Sequence, residues 1–380
     1  MQYKAPLYRV LADDPRLEIL VTYCSRRGAA AGLDPDMGVT MSWDIDLLSG
    51  YPHVFLRNLS PTGRGFLRHL NPGIVIRLLR RRWDGVLFHT GWGSATAWIA
   101  MAACLMTRTP ILMFGDSCMV PPENGLRGRL RALVLRTLFR GISRFMTIGT
   151  CNRTYYLHYG AEPERMIPFP YAIDNERFMR QSRLTDEERR DVRRRYGIGP
   201  EELVILFAGK LIPRKGPEDL LEAFIALESG RSPGEKLRLV FAGDGELRQR
   251  LEARAGDRAV TFTGFVNQGE LPALYGSADL FVLPSHDEPW GLVVNEAMAS
   301  GLPILVSSAA GSGLDLVEEG VNGYRFSAGD VARLRELLAE VASDRSRLSE
   351  IGERSRTRIA SWSYQHDADA LVEALQRVRK

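Results

Sequence analysis

Two carboxylates eight positions apart, Glu288 and Glu296, and two lysines five apart, Lys210 and Lys215, are the residues of this chain whose types and spacing could do chemistry. The carboxylates lie in Pro284-Ser-His-Asp-Glu-Pro-Trp-Gly-Leu-Val-Val-Asn-Glu-Ala-Met-Ala-Ser300. An apolar run, Ala278 to Leu283, precedes this stretch and reads as a strand; turn residues follow, then a helical pattern over Leu292 to Ser300. Glu288 is therefore expected in a loop at a strand's carboxyl end and Glu296 one turn into the next helix. Between them lies a helix N-terminus, whose free backbone N–H groups form an anion site. Carboxylates on both sides of a phosphate-sized site suit a ligand with hydroxyls on both sides of a diphosphate, and a nucleotide sugar is such a ligand.

The lysines occupy a similar position. Leu203 to Ala208 reads as a strand, Gly209-Lys210-Leu-Ile-Pro-Arg-Lys215-Gly216 as a turn, and Glu218 to Leu227 as a helix. That order places cationic side chains beside a helix N-terminus, which suits a diphosphate. A solvated loop with incidental lysines fits the same residues.

The elements that must position these groups alternate. Leu237 to Ala242 is a strand ending in Gly243-Asp-Gly245, Ala259 to Thr263 is a strand ending in Gly264-Phe-Val266, and Ile304 to Ser307 is the next strand after Gly301-Leu-Pro303. Alternating strands and helices predict a parallel sheet in an α/β fold, with ligands at the strands' carboxyl ends. The first half repeats the theme. Leu17 to Tyr23, Gly85 to His89, Ile111 to Phe114 and Phe145 to Ile148 read as strands, and Gly115-Asp116-Ser117 sits at the carboxyl end of one of them. Ile167-Pro-Phe-Pro-Tyr-Ala-Ile-Asp174 reads as an interdomain crossing. Asp34-Pro-Asp36 has the look of a metal-binding acidic pair, and equally of a surface pair in a turn. Gly91-Trp-Gly93-Ser-Ala-Thr96 is a fragment of a dinucleotide fingerprint without its third glycine.

A chain of 380 residues with 45% hydrophobic content is long enough for two domains with their own cores. The net charge of +4 is unevenly shared: residues 1–172 carry 21 Lys and Arg against 12 Asp and Glu, or +9, and the remainder carries 29 against 34, or −5. The first half is expected to face something anionic, a membrane surface or an acidic acceptor, since no nucleic-acid motif accompanies the charge. Leu126 to Phe139 is an amphipathic helix with Leu126, Leu130, Leu133, Val134, Thr137 and Leu138 on one face and Arg129, Arg136 and Arg140 on a flank. Two readings stand: a helix packed on its sheet with solvated arginines, or a membrane-surface contact. Cys24, Cys104, Cys118 and Cys151 lack the short paired spacing of metal or redox motifs, which points to reduced thiols and a cytoplasmic location. Met1 to Val10 lacks the apolar run of a signal peptide. Val86 to Thr107 is free of formal charge, but its glycines and His89 favour strand, turn and buried helix over a bilayer crossing.

The combination of Phe207-Ala-Gly-Lys-Leu-Ile-Pro-Arg-Lys-Gly216, Ala242-Gly-Asp-Gly-Glu246, Phe262-Thr-Gly-Phe-Val266, Ala278-Asp-Leu-Phe-Val-Leu-Pro-Ser285 and Glu288-Pro-Trp-Gly-Leu-Val-Val-Asn-Glu296 resembles the family 4 glycosyltransferases of the GT-B fold. The resemblance is strong from Leu203 to Tyr324 and weaker over the first half. It implies two Rossmann-like domains with parallel sheets facing a cleft: an acceptor domain over 1–172, a linker and leading helix over 173–200, and a donor domain over 201–361. A terminal helix, 362–380, packs back on the first domain. It implies transfer from a nucleoside-diphosphate sugar, UDP- or GDP-linked, to a glycan, lipid-linked or small-molecule acceptor. Anomeric configuration is retained, with no cofactor and no obligatory metal.

By the same resemblance Lys210 and Lys215 neutralise the diphosphate with help from the N–H groups of Leu292 and Val293. Glu296 binds ribose hydroxyls, Glu288 contacts the donor sugar, and Val266 lies against the base. Gly28, Gly209, Trp290 and Gly291 complete the donor site. The family's common arginine is Lys210 here, which loses the bidentate fork. Its common histidine has no counterpart near Met113 to Gly115, and Asp116 is the nearest polar group for the sugar or acceptor hydroxyl. Alternatives are a nucleotide-sugar epimerase of the same architecture and a noncatalytic nucleotide-sugar-binding protein. An NAD-dependent oxidoreductase built on Gly91 to Thr96 is the remaining one. A peripheral position at the inner face of the membrane accompanies the leading reading.

Overall fold

The computed structural model describes residues 2–26, 28–29, 31–34, 36–61, 65–89, 91–118, 125–230 and 236–379, and among these described residues there are fourteen short strands. In chain order they are β1 (Val21–Tyr23), β2 (Gly32–Asp34), β3 (Val39–Met41), β4 (His53–Phe55), β5 (Val86–Phe88), β6 (Ile111–Phe114), β7 (Arg144–Thr147), β8 (Met166–Pro168), β9 (Leu203–Ala208), β10 (Leu237–Ala242), β11 (Val260–Gly264), β12 (Leu280–Leu283), β13 (Ile304–Ser307) and β14 (Gly323–Phe326). The chain divides into two units. One comprises Met1–Ala30, Asp46–Tyr171 and Tyr364–Lys380, the other Ala31–Ile45 and Ala172–Ser363.

In the second unit six parallel strands stand in the order β11-β10-β9-β12-β13-β14. β9 and β12 are buried at every position, which is why both read as unbroken apolar runs rather than alternating ones. The chain leaves β9 toward β10 on one side and returns to pair β12 on the other, so the topological switch point lies between β9 and β12. Open α/β sheets bind ligands outside the carboxyl ends of the strands at such a point. The hairpin β2–β3 also belongs to this unit: Asn267 Nδ2 donates to Ser42 O at 2.6 Å, Gly269 N donates to Asp44 Oδ2 at 2.9 Å, and Trp43 meets Phe265 edge-on.

In the first unit β5-β6-β7-β8 form a parallel sheet in sequential order, and β1 and β4 form a separate parallel pair. Right-handed crossovers between sequential neighbours place successive helices on one face. The core agrees: Ala100, Met101 and Cys104 from Ala95–Thr107 pack with Leu135 and Phe139 from Gly125–Arg140 and with Tyr155 and Tyr156 from Thr150–His158. The uncharged stretch beginning at Val86 is a strand, a turn with Gly91 at φ +61°, and a helix capped by Ser94, whose Oγ accepts from Ala97 N. Among the described residues no helix is long and apolar enough to cross a membrane. The helix Tyr364–Arg379 joins this unit through Tyr364 Oη, which donates to Tyr3 O at 3.0 Å, and through Arg16 with Asp369.

One expectation is sharpened and one is corrected. The helix Gly125–Arg140 packs inward through Ala132, Leu135 and Phe139, while Leu126, Leu130, Leu133 and Val134 lie on its exposed face. Periodicity found an apolar stripe but could not tell which of two apolar faces the sheet would take. Cys118 and Cys151, expected as free thiols, are joined by a disulfide across 33 positions, and only Cys24 and Cys104 are free. The pairing brings the loop after β6 onto the first turn of Thr150–His158, a proximity that sequence spacing does not encode.

Candidate active site

At the switch point the strand ends carry the groups singled out above. The loop leaving β9 holds Gly209, Lys210 and, in the short helical turn Pro213–Lys215, the second lysine. The loop leaving β12 holds His286, Asp287 and Glu288. The two loops are bound backbone to backbone: His286 N and Asp287 N donate to Arg214 O at 2.8 and 3.3 Å, and Arg214 Nη1 donates to Asp287 O at 3.2 Å. Gly216 makes that approach possible. It holds a left-handed φ of +66°, and a Cβ there would stand 2.2 Å from Pro284 O. His286 Nε2 meets Asp219 Oδ2 at 2.9 Å and closes the outer edge.

The result is an ion pair between Lys215 Nζ and Glu288 Oε2, with side chains 13% and 10% exposed. Burial pushes the Lys215 ammonium below its usual range, and the facing carboxylate partly offsets the shift. Glu288 is fixed further by its backbone: its N donates to Ala309 O at 3.2 Å and its O accepts from Gly311 N at 3.0 Å.

The helix Leu292–Ala299 begins directly after. Gly291 at φ +94° stands at its N-cap with no side-chain cap, so the N-terminal N–H groups of Leu292 and Val293 have no intrahelical partner. A Cβ at Gly291 would meet Glu288 Cγ at 3.1 Å and Leu283 Cδ2 at 3.0 Å, which packs the cap against the carboxylate's stem. Trp290 is buried; its indole N–H donates to Asn295 Oδ1 at 3.0 Å and its ring stacks on Trp362 at 5.1 Å between centroids. Glu296 is fully buried and accepts from Tyr275 Oη at 2.9 Å.

Lys210 lies close enough to Lys215 to depress its ammonium further, and it is itself held by two aspartates of the hairpin. Its Nζ donates to Asp34 Oδ1 at 3.0 Å and to Asp36 Oδ2 at 2.7 Å. Burial raises the Asp34 carboxyl, but hydrogen bonds from Lys210, Met37 N and Asp36 N outweigh it and hold the group below the usual carboxylate range. The acidic pair with the look of a metal site is therefore a lysine clamp. Among the described residues no group of three or more His, Cys, Asp or Glu is placed to hold a metal ion. Gly209, at φ +153°, donates from its N to Ala242 O at 2.9 Å, and Val266 is buried two residues beyond β11.

The structure thus brings Lys210, Lys215, Glu288, Gly291, Leu292 and Val293 to one edge of one sheet. Gly28, at φ +87°, and Asp116 belong to the first unit. Arg27, the second arginine of the Gly28 loop, lies outside the described residues. Asp116 is exposed in the loop after β6, and that loop is held by the buried Asn152, whose Nδ2 donates to Gly115 O at 2.8 Å and to Ser117 O at 3.0 Å. Asn152, Tyr275 and the Lys210 partners escaped the sequence reading. Only the Asp34-Pro-Asp36 spacing offered a signal, and it pointed to a different partner.

A cavity of about 760 Å³ in the second unit lies away from this edge, lined by Leu203, Ala278 and Pro303 at the strands' amino ends. Two of its arginines, Arg189 and Arg193, both bind Asp279, at 2.5 and 2.8 Å.

Residues 188–358 match the family model described as Glycosyl transferases group 1. The D-inositol 3-phosphate glycosyltransferase of Nocardia farcinica is 32% identical over 225 residues, covering 57% of this chain and 48% of that protein. Mannosylfructose-phosphate synthase of Agrobacterium fabrum is 34% identical over 163 residues, 40% of this chain and 35% of that protein. The chain thus spans about half or less of the length of these curated relatives. Among solved structures, Anabaena HepE in complex with UDP superposes with a TM-score of 0.70 at 20% identity, over 86% of this chain and 87% of that one. Sucrose-phosphate synthase from Thermosynechococcus elongatus gives 0.68 at 19%, over 98% and 92%. The fold is GT-B, with two Rossmann-like domains.

Proposed function

We propose, from the premise that residues 188–358 form a group 1 glycosyltransferase domain, that this protein transfers a sugar from a nucleoside-diphosphate sugar to a hydroxyl of an acceptor. The observation that carries the reading is the Lys215–Glu288 pair beside the uncapped helix N-terminus at the sheet's switch point.

Departure of a nucleoside diphosphate builds negative charge on its phosphates. Lys215, Lys210 and the N–H groups of Leu292 and Val293 stabilise that charge as it develops. In this reading the lysines and the helix N–H groups take the place of a metal ion at the diphosphate. Glu288 holds a donor-sugar hydroxyl near the reacting carbon, Glu296 the ribose, and Val266 the base. Gly209, Trp290 and Gly291 shape the same pocket, with Gly28 approaching the phosphates and Asp116 the acceptor or sugar hydroxyl. Transfer proceeds with retention. The donor is UDP- or GDP-linked, and HepE, similar in fold, was solved with UDP. The acceptor is a glycan, a lipid-linked glycan or a small metabolite, and the protein works in the cytoplasm or at the inner face of the membrane.

A thermal-shift screen with UDP, GDP, ADP and TDP tests the reading first, since a ligand at 100 times its Kd stabilises by about 2.7 kcal/mol. Turnover of the matching sugar nucleotide in EDTA follows. No stabilisation by any of the four, or turnover that needs a divalent metal, overturns the corresponding claim. Turnover of the donor without an acceptor identifies an epimerase instead.

A further inference from the structure

The helix Gly125–Arg140 is apolar on two opposite faces. At about 100° per residue, Ala132, Leu135 and Phe139 point to the sheet and are buried. Leu126, Leu130, Leu133 and Val134 point the other way and are 84%, 60%, 62% and 39% exposed. Leucines at i, i+4 and i+7 over two turns form a stripe rather than scattered apolar positions. Leu105 and Met106, 59% and 78% exposed, extend it, since Leu105 reaches the carboxyl end of the same helix: a Cβ on Gly141 would stand 3.5 Å from its Cδ2.

The charge around the stripe is of one sign. Arg129, Arg136 and Arg140 line one flank and Arg127 and Arg131 the other, all exposed, and residues 125–140 contain no Asp or Glu. The helix Gly73–Arg80, which packs on Ala95–Thr107, also has exposed Ile76 and Leu79 beside Arg77 and Arg80.

From this juxtaposition we infer that the outer face of the helix Gly125–Arg140 is a docking surface for an anionic lipid bilayer. The leucine stripe enters the boundary between headgroups and acyl chains, and the two arginine rows pair with lipid phosphates. A long apolar stripe enclosed by unneutralised arginines matches that surface, which offers hydrocarbon and anionic headgroups within one side chain's reach. A second copy of this chain would bring the same arginines against themselves across an isologous contact. The surface gives the glycosyltransferase reading its partner, a membrane carrying the acceptor, and rests on that reading only there.

The test is cosedimentation of the full chain with vesicles of phosphatidylcholine alone and with phosphatidylglycerol added. The protein is expected to pellet with the anionic vesicles at low salt and to release at high salt. Leu130→Asp with Leu133→Asp, and separately Arg129→Glu with Arg136→Glu, should each lower the vesicle partition coefficient at least tenfold. All four positions are exposed, and an unchanged melting temperature and unchanged stabilisation by UDP or GDP confirm that fold and donor site are intact. Wild-type protein left in the supernatant at low salt overturns the proposal, as does equal pelleting of all variants. A concentration-dependent dimer that Leu130→Asp with Leu133→Asp abolishes also overturns it, since a second copy then covers the stripe. Wild-type protein that is stabilised by a nucleotide but does not pellet with anionic vesicles fails this proposal alone, and wild-type protein that pellets but is stabilised by no nucleotide fails only the transferase reading.

Discussion

Lys215 and Glu288 lie 73 positions apart, yet their side chains form one buried ion pair because β9 and β12 are adjacent parallel strands whose carboxyl-end loops are tied together at Arg214. Neither group needs a long reach: backbone bonds hold the loops, and the pair fills the space left between them.

Removing one member leaves the other buried without a partner. Lys215→Met or Glu288→Gln should abolish transfer and each should lower stability by about 3 kcal/mol, the lower end for breaking a buried pair. The double variant Lys215→Met with Glu288→Gln should recover most of that stability and none of the activity. Urea unfolding beside a donor-turnover assay checks both. A double variant no more stable than the singles would mean that the pair is not coupled as described.

Gly216 and Gly320 separate backbone strain from close approach. Both are left-handed, at φ +66° and +73°, but a Cβ at Gly320 meets nothing within 4 Å whereas one at Gly216 strikes Pro284 O. Gly320→Ala should cost about 1–2 kcal/mol. Gly216→Ala should cost clearly more and should weaken nucleotide binding, because Lys215 must move with the loop. Equal melting temperatures for the two variants would remove the argument.

Asp34 and Asp36 hold the lysine that the proposed chemistry assigns to the diphosphate, so donor binding must compete with them. These pairs are partly exposed and each is worth at most about 1 kcal/mol. Asp34→Asn with Asp36→Asn should therefore tighten UDP or GDP binding about two- to fivefold by titration calorimetry. Weaker binding in that variant would assign the hairpin to the donor site as a contributor. The Asp34 contribution to stability is present above the usual carboxylate pKa and is lost as pH falls through its lowered value.

Lys4 offers a test at alkaline pH in the first unit. Its ammonium lies 4.0 Å from the Phe114 ring centroid and 4.3 Å from that of Tyr171, and burial lowers its pKa to about 8 despite Asp367 and Asp116. Below about pH 8 both states carry the charge and the folded state bears the whole burial cost. From there toward 10.5 the unfolded chain holds a proton that the folded chain has released, so stability rises with pH, by about 3 kcal/mol at most over the full interval. The facing phenols do not mask this: burial raises Tyr8 and Tyr171 above the usual phenol range, and those hydroxyls erode stability only from about pH 10 upward. Burial raises Asp367 well above the usual carboxylate range, which removes stability as pH rises, and Asp367→Asn in both backgrounds separates its contribution from that of Lys4. Urea melts between pH 7.5 and 9.5 should rise for the native protein and stay flat for Lys4→Met. Parallel curves would exclude Lys4 as the source.

Much of the sheet edge that carries the proposed site was legible in the chain alone. β9 and β12 are continuous apolar runs because both faces of a parallel sheet are covered, and the turns after them carry their polar groups at the strands' carboxyl ends, where an open sheet binds ligands. Lys210, Lys215, Glu288 and the helix start at Leu292 could thus be set on one rim from local pattern. What local pattern could not supply is partnership. Lys210 bonds to Asp34 across 176 positions, Glu296 to Tyr275 across 21, and Cys118 to Cys151 across 33, and each pairing exists only because separate elements meet. The helix Gly125–Arg140 marks the same boundary. Its residues dictate two apolar faces and two rows of arginine, but packing selects the face with Ala132 and Phe139 for the sheet. It leaves Leu126, Leu130 and Leu133 outward, because a helix laid on a sheet buries only one of its faces.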